Sequence, residues 1–119
     1  MKVIVVYYSK TGNTKNVAEF IANNLECVSY PVNLMDKKGR GTKEERDKEK
    51  ELYNKALQES IDCDLVIIGT PTSFQKPKSM IQRYVRDVQT QTAALFCTYN
   101  NKVGSTLIDL ENTLLRAHL

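Results

Sequence analysis

The stretch VIVVYYSKTGNTKNVAEF, residues 3–20, decides how the chain is read. Val3 to Tyr8 is an unbroken β-branched and aromatic run, the pattern of a strand covered on both faces, and Lys2 to Ser9 is predicted as that strand. Further on, Val17, Phe20, Ile21 and Leu25 fall at i, i+3, i+4 and i+8, a helical stripe expected to pack back onto the strand. Between the two lie Ser9, Lys10, Thr11, Gly12, Asn13 and Thr14. A glycine at the mouth of a helix lets the backbone turn tightly and present several N–H groups, and the helix dipole favours an anion there. Hydroxyls at Ser9, Thr11 and Thr14 add donors for phosphate oxygens. The spacing is neither G-x-x-x-x-G-K-[ST] nor G-x-G-x-x-G, so a single terminal phosphate suits it better than a triphosphate or pyrophosphate. A plain helix cap at Asn13 or Thr14 accounts for one residue of the run, not for all six.

Working outward, "CVSYPVNLM" (27–35) reads as a weaker strand whose Pro31 puts it at a sheet edge. Residues 43–60 form a helix anchored by Leu52, Tyr53, Ala56 and Leu57. "DLVIIGT" (64–70) is a second apolar strand, followed by a loop bounded by Pro71 and Pro77. A helix to about Asp87 has the stripe Ile81, Tyr84, Val85 and Val88. "AALFCTY" (93–99) is the fourth strand, and Leu107, Ile108, Leu110, Leu114 and Leu115 give the last helix a broad apolar face. Strands alternating with helices specify an α/β fold: a parallel sheet with right-handed crossovers and helices on both sides. Ligands of such sheets bind beyond the carboxyl ends of the strands, here the loops Ser9 to Thr14, Thr70 to Lys76 and Thr98 to Gly104.

Composition bounds the rest. At 119 residues, with 41% hydrophobic and 26% charged residues, the chain is expected to fold as one domain, 1–119. No stretch approaches the length of apolar sequence that crosses a membrane, and the amino terminus lacks a secretory cleavage pattern, so no membrane role and a cytoplasmic location are expected. The net charge of +3 is mild and the basic residues alternate with acidic ones, which leaves a nucleic-acid role without support. Cys27, Cys63 and Cys97 lack C-x-x-C spacing and the single histidine is His118, so reduced thiols and no metal site are expected.

S/T-x-T-G-x-T after the first strand resembles the phosphate loop of the flavodoxin family. "GTPTSF" (69–74) is similar to the family's first isoalloxazine loop and "CTYNNKVGSTL" (97–107) to its second. The resemblance covers essentially the whole chain and implies a doubly wound sheet of strand order 2-1-3-4 holding FMN non-covalently. By the same resemblance, Ser9, Lys10, Thr11, Gly12, Asn13 and Thr14 contact the FMN phosphate. Pro71, Thr72, Ser73, Phe74 and Gln75 line one side of the ring, and Thr98, Tyr99, Asn100 and Asn101 the other. Phe74 and Tyr99 are the stacking candidates, each weighed against an ordinary packing role. The implied function is electron transfer to redox partner proteins, with no catalytic residue of the chain's own. Two alternatives stand beside it: an FMN-dependent NAD(P)H:quinone-type oxidoreductase, and a flavin-free binding module.

The sequence departs from the family pattern in two places. The usual fifth strand and helix do not follow "LLRAHL", so the edge of the fourth strand is expected to pair with a second copy, with another subunit or with a rearranged terminal helix. The loop after the third strand has Gln75 and Lys76 where many relatives carry a glycine, so poor stabilisation of the one-electron-reduced flavin is expected.

Overall fold

The computed structural model describes residues 2–9, 12–32, 42–73, 76–77, 79–90, 92–99 and 104–118. Its elements follow in the order β1 (Val3–Tyr7), α1 (Asn13–Asn24), β2 (Val28–Pro31), α2 (Lys43–Ser60), β3 (Leu65–Ser73), β4 (Lys76–Pro77), α3 (Ser79–Asp87), β5 (Ala93–Thr98) and α4 (Thr106–His118). β1 pairs in parallel with β2 on one side and β3 on the other, and β3 pairs in parallel with β5. The parallel sheet therefore runs β2-β1-β3-β5, the order 2-1-3-4 once the short β4 is set aside.

β1 is central, which explains its lack of polar alternation: Ile4, Val5, Val6 and Tyr7 are all buried. β2 is at the edge, as Pro31 predicts. Val32 donates its amide to the Tyr7 carbonyl at 2.8 Å, so by strand alternation the ring nitrogen of Pro31 faces away from β1. β3 extends further than the sequence predicts. The expected loop after Thr70 is instead a continued strand that turns back as a hairpin, with Thr72 opposite Pro77 and Ser73 opposite Lys76. Pro71 is tolerated within it because β1 has no register partner beyond Gly69, so the missing N–H lies past the end of that neighbour.

The helices distribute unevenly over the two faces. Tyr53 and Ala56 of α2, Ile81, Tyr84 and Val85 of α3, and Leu110 of α4 pack with Ile4, Val6, Val66 and Ile68 in one core cluster. The opposite face holds a smaller cluster, Val5, Tyr7, Ala18 and Ala22, with Ile21, Cys27, Ile67 and Phe96 against it. The stripe expected on α1 is therefore corrected. Thr14, Ala18 and Ala22 face the sheet, where small side chains let the helix approach closely, while Val17 and Phe20 are 39% and 69% exposed. On α4 the broad apolar face is only partly used: Leu110 is buried, but Leu107, Ile108 and Leu115 are exposed.

α2 starts at Thr42, whose side-chain oxygen accepts the Glu45 amide at 3.1 Å, with Glu44 and Glu45 set against the helix dipole. It is tied to α3 by an aromatic pair. The rings of Tyr53 and Tyr84 meet edge to face at 5.8 Å, Arg83 lies 5.4 Å from the Tyr53 ring, and the Tyr53 hydroxyl donates to Asp87 Oδ2 at 2.8 Å. Tyr84 donates to the Ala56 carbonyl at 3.0 Å. Burial, reinforced for Tyr53 by the bond to Asp87, pushes both phenols above their ordinary value of 10.0. A raised folded-state value means stability that is complete below about pH 10 and lost as pH climbs from there. Chemical denaturation across pH 8 to 12 is thus expected to show a plateau and then a decline of up to about 1.4 kcal/mol per pH unit for each ring. Tyr53→Phe should remove part of that slope and cost about 1–2 kcal/mol at neutral pH.

Candidate functional site

The carboxyl ends of β1, β3 and β5 lie side by side, with the amino termini of α1 and α4 beside them. Three of the predicted segments converge here because the parallel register aligns Tyr7 with Gly69 and Pro71 with Thr98. α1 begins at Gly12, which adopts φ 99° and ψ −11° and carries no side-chain cap. That left-handed backbone is what glycine supplies at little steric expense. Its amide donates to Ser9 Oγ at 3.1 Å and its carbonyl accepts from the Asn16 amide at 2.9 Å. The first-turn amides of Asn13, Thr14 and Lys15 have no acceptor within the helix. A Cβ built on Gly12 would meet no atom of the described residues within 4 Å. An anion fits this arrangement: first-turn amides without an acceptor in the helix, at the positive end of its dipole.

Thr14 is turned inward. It is 1% exposed, and its hydroxyl lies 2.8 Å from that of Thr98 at the end of β5. The pair joins the first loop to the third. A second hydroxyl pair, Thr72 with Thr106 at 3.1 Å, joins the end of β3 to the start of α4. Thr106 is fully buried, and sequence reasoning missed it. The available signal was Gly104-Ser105-Thr106 before the last helical stripe: Ser105 accepts the Asp109 amide at its carbonyl and donates its hydroxyl to Asp109 Oδ2 at 2.9 Å, a helix start written in short polar residues. Gly104 is left-handed there, with φ 59°.

Of the other predicted site residues, Ser9, Pro71 and Thr72 are half-buried at this rim, Asn13 is exposed in the first turn of α1, and Ser73 closes the β3–β4 hairpin. Tyr99 is 58% exposed immediately beyond β5, so it is not a core residue. Lys10, Thr11, Phe74, Gln75, Asn100 and Asn101 lie outside the described residues, and with them the expectation about Gln75. Among the described residues no cluster of histidine, cysteine or acidic side chains gathers as a metal site, and no helix is long and apolar enough to cross a membrane. The cysteines are free, and burial raises the Cys27 and Cys63 thiols above their ordinary value.

No protein-family model matches the chain, and no curated protein matches it in sequence. Solved structures do match. A flavoprotein from Lactobacillus acidophilus NCFM, in complex with FMN, aligns with a TM-score of 0.69 at 18% identity, over 95% of this chain and 85% of that one. A flavodoxin from the domain Archaea aligns at 0.60 and 23% identity, over 98% and 75%. An azoreductase from Bacillus anthracis str. Sterne aligns at 0.61 and 12% identity, over 99% and 82%. The chain has a flavodoxin-like fold. The fold and the strand order expected from its sequence are those it adopts.

Proposed function

We propose that the protein binds FMN and carries electrons between redox partner proteins in the cytoplasm. The observation that carries this reading is the amino terminus of α1: a left-handed Gly12 without a side-chain cap at the switch point between β1 and β3. The FMN phosphate would sit against Ser9, Lys10, Thr11, Gly12, Asn13 and Thr14. One side of the ring would lie along Pro71, Thr72, Ser73, Phe74 and Gln75, the other along Thr98, Tyr99, Asn100 and Asn101. The flavin supplies the reversible electron transfer when bound. The chain's own part is to anchor the phosphate with amides and hydroxyls, to hold the ring edge with polar groups and to keep both loops in register through the two threonine pairs. FMN in the flavoprotein neighbour supports the reading.

A second reading, reduction of a small acceptor by NAD(P)H through FMN, is favoured by the azoreductase neighbour and by the exposed Tyr99, which leaves that side of the rim accessible to a substrate. Titrating the purified protein with FMN while following flavin fluorescence and the visible spectrum tests the shared premise. The expected result is quenching that saturates at one equivalent. Unchanged fluorescence would leave a flavin-free module. Turnover with NADH or NADPH and an artificial acceptor, absent for a carrier and sustained for an enzyme, separates the first two readings.

A further inference from the structure

We infer that Thr14 and Thr106 are positioning residues for the flavin ring, acting through Thr98 and Thr72, and that the Thr14 hydroxyl is not a phosphate ligand. The inference rests on the FMN reading and refines which part of the cofactor each residue serves. The parallel ladder between β3 and β5 ends at Pro71 and Thr98, and β1 has no register partner beyond Gly69. The strand ends assigned to the ring therefore lie where the parallel ladder stops, and other bonds must set their positions.

Two hydroxyl pairs do so, one on each face of the sheet. Ala18 and Ala22 of α1 pack in the cluster that holds Phe96, and strand alternation puts Thr98 on the same face as Phe96. There its Oγ1 lies 2.8 Å from Thr14 Oγ1. Leu110 of α4 packs in the other cluster with Val66 and Ile68, and alternation puts Thr72 on that face, its Oγ1 3.1 Å from Thr106 Oγ1. Each pair joins a strand end to the first turn of a helix. A helix held by its own hydrogen bonds and by packing is a firmer reference point than a loop. Thr14 and Thr106 are 1% and 0% exposed, so each bond is kept from water, and losing one hydroxyl strands the other.

The same geometry separates the Thr14 hydroxyl from the phosphate. Along α1, Thr14 is in line with Ala18 and Ala22 on the buried side that faces the sheet. The first-turn amides run along the helix axis instead, toward its start. An anion held there can use the Thr14 amide, while the hydroxyl is taken up by Thr98. Loss of Thr14 Oγ1 is therefore felt at the ring, through Thr98, and not at the phosphate. The division is measurable because riboflavin has the ring of FMN and lacks its phosphate.

The test is fluorescence titration with FMN and with riboflavin, for the parent chain and for Thr14→Val, Thr98→Val and Thr106→Val. Each valine keeps the branched shape of threonine and removes the hydroxyl. Each is expected to raise the dissociation constants of both flavins by about 5- to 50-fold and to leave their ratio within about twofold of the parent's. Thr106→Ser, which retains the hydroxyl, should recover most of the lost affinity. Thr14→Val combined with Thr98→Val should weaken binding little more than either alone, since both act through one bond. The visible absorption maximum of the bound flavin should shift as well, which a loss of stability alone would not produce. Where Thr106→Val unfolds the chain, Thr72→Val at a half-buried site breaks the same bond and takes its place. A Thr14→Val variant that loses affinity for FMN but not for riboflavin overturns the proposal, because the hydroxyl then serves the phosphate. Unchanged affinity and spectrum in the valine variants also overturn it, with FMN binding itself intact. A parent chain that binds neither flavin overturns the FMN reading and this inference together.

Discussion

Gly12→Val is expected to weaken FMN binding by about 10- to 100-fold. A β-branched residue forced to φ 99° carries strain of about 1–3 kcal/mol, and its side chain adds bulk at the start of the helix, beside the amides assigned to the phosphate. If the loop keeps its shape, the strain appears as lost stability. If it relaxes, binding must restore the shape, and the same free energy appears in the dissociation constant at about 1.4 kcal/mol per tenfold. Gly12→Asn separates backbone from bulk, because asparagine adopts the left-handed region more readily than valine. It should lose less affinity than valine, and parallel FMN titrations of both variants check the order. Equal affinity of Gly12→Val and the parent protein would remove the phosphate reading.

Gly69→Val is expected to destabilise the fold by about 2–4 kcal/mol. A Cβ at Gly69 would collide with the far end of the Phe96 ring (Cζ, Cε1 and Cε2), which lies across the β3 backbone from the neighbouring strand. The colliding atoms are the far end of a half-buried side chain that can rotate, so the smaller Gly69→Ala should cost only about 1–2 kcal/mol. Removing the ring makes the clash disappear. In a Phe96→Ala background the Gly69 substitutions should cost markedly less, with a coupling of about 1–2 kcal/mol measurable by a double-mutant cycle in urea. Strict additivity would show that the ring does not set the need for glycine.

These two glycines differ in how far the sequence announced them. Gly12 was legible because its neighbours spell out the reason: hydroxyls on both sides, a strand before and a helix after. Gly69 was read as the end of a strand, whereas β3 continues to Ser73 and the glycine serves a residue 27 positions away. Contacts set by strand register have no local signature. The α3 stripe was legible for the opposite reason, since Ile81, Tyr84, Val85 and Val88 are large and all are fully buried. On α1 the same template followed the bulky residues, but the buried face is Thr14, Ala18 and Ala22, where smallness is the selected property. At the site, the rim was legible from the strand ends. The threonine pairs across it were not, because Thr14 and Thr98 are 84 residues apart and meet only once β5 lies against β3.

Pro31, at the opposite rim from β5, shapes how β2 ends the sheet. Its ring nitrogen faces outward in a four-residue strand, so that margin offers an incoming chain a broken ladder. A margin interrupted in this way is poorly suited to taking up a further strand.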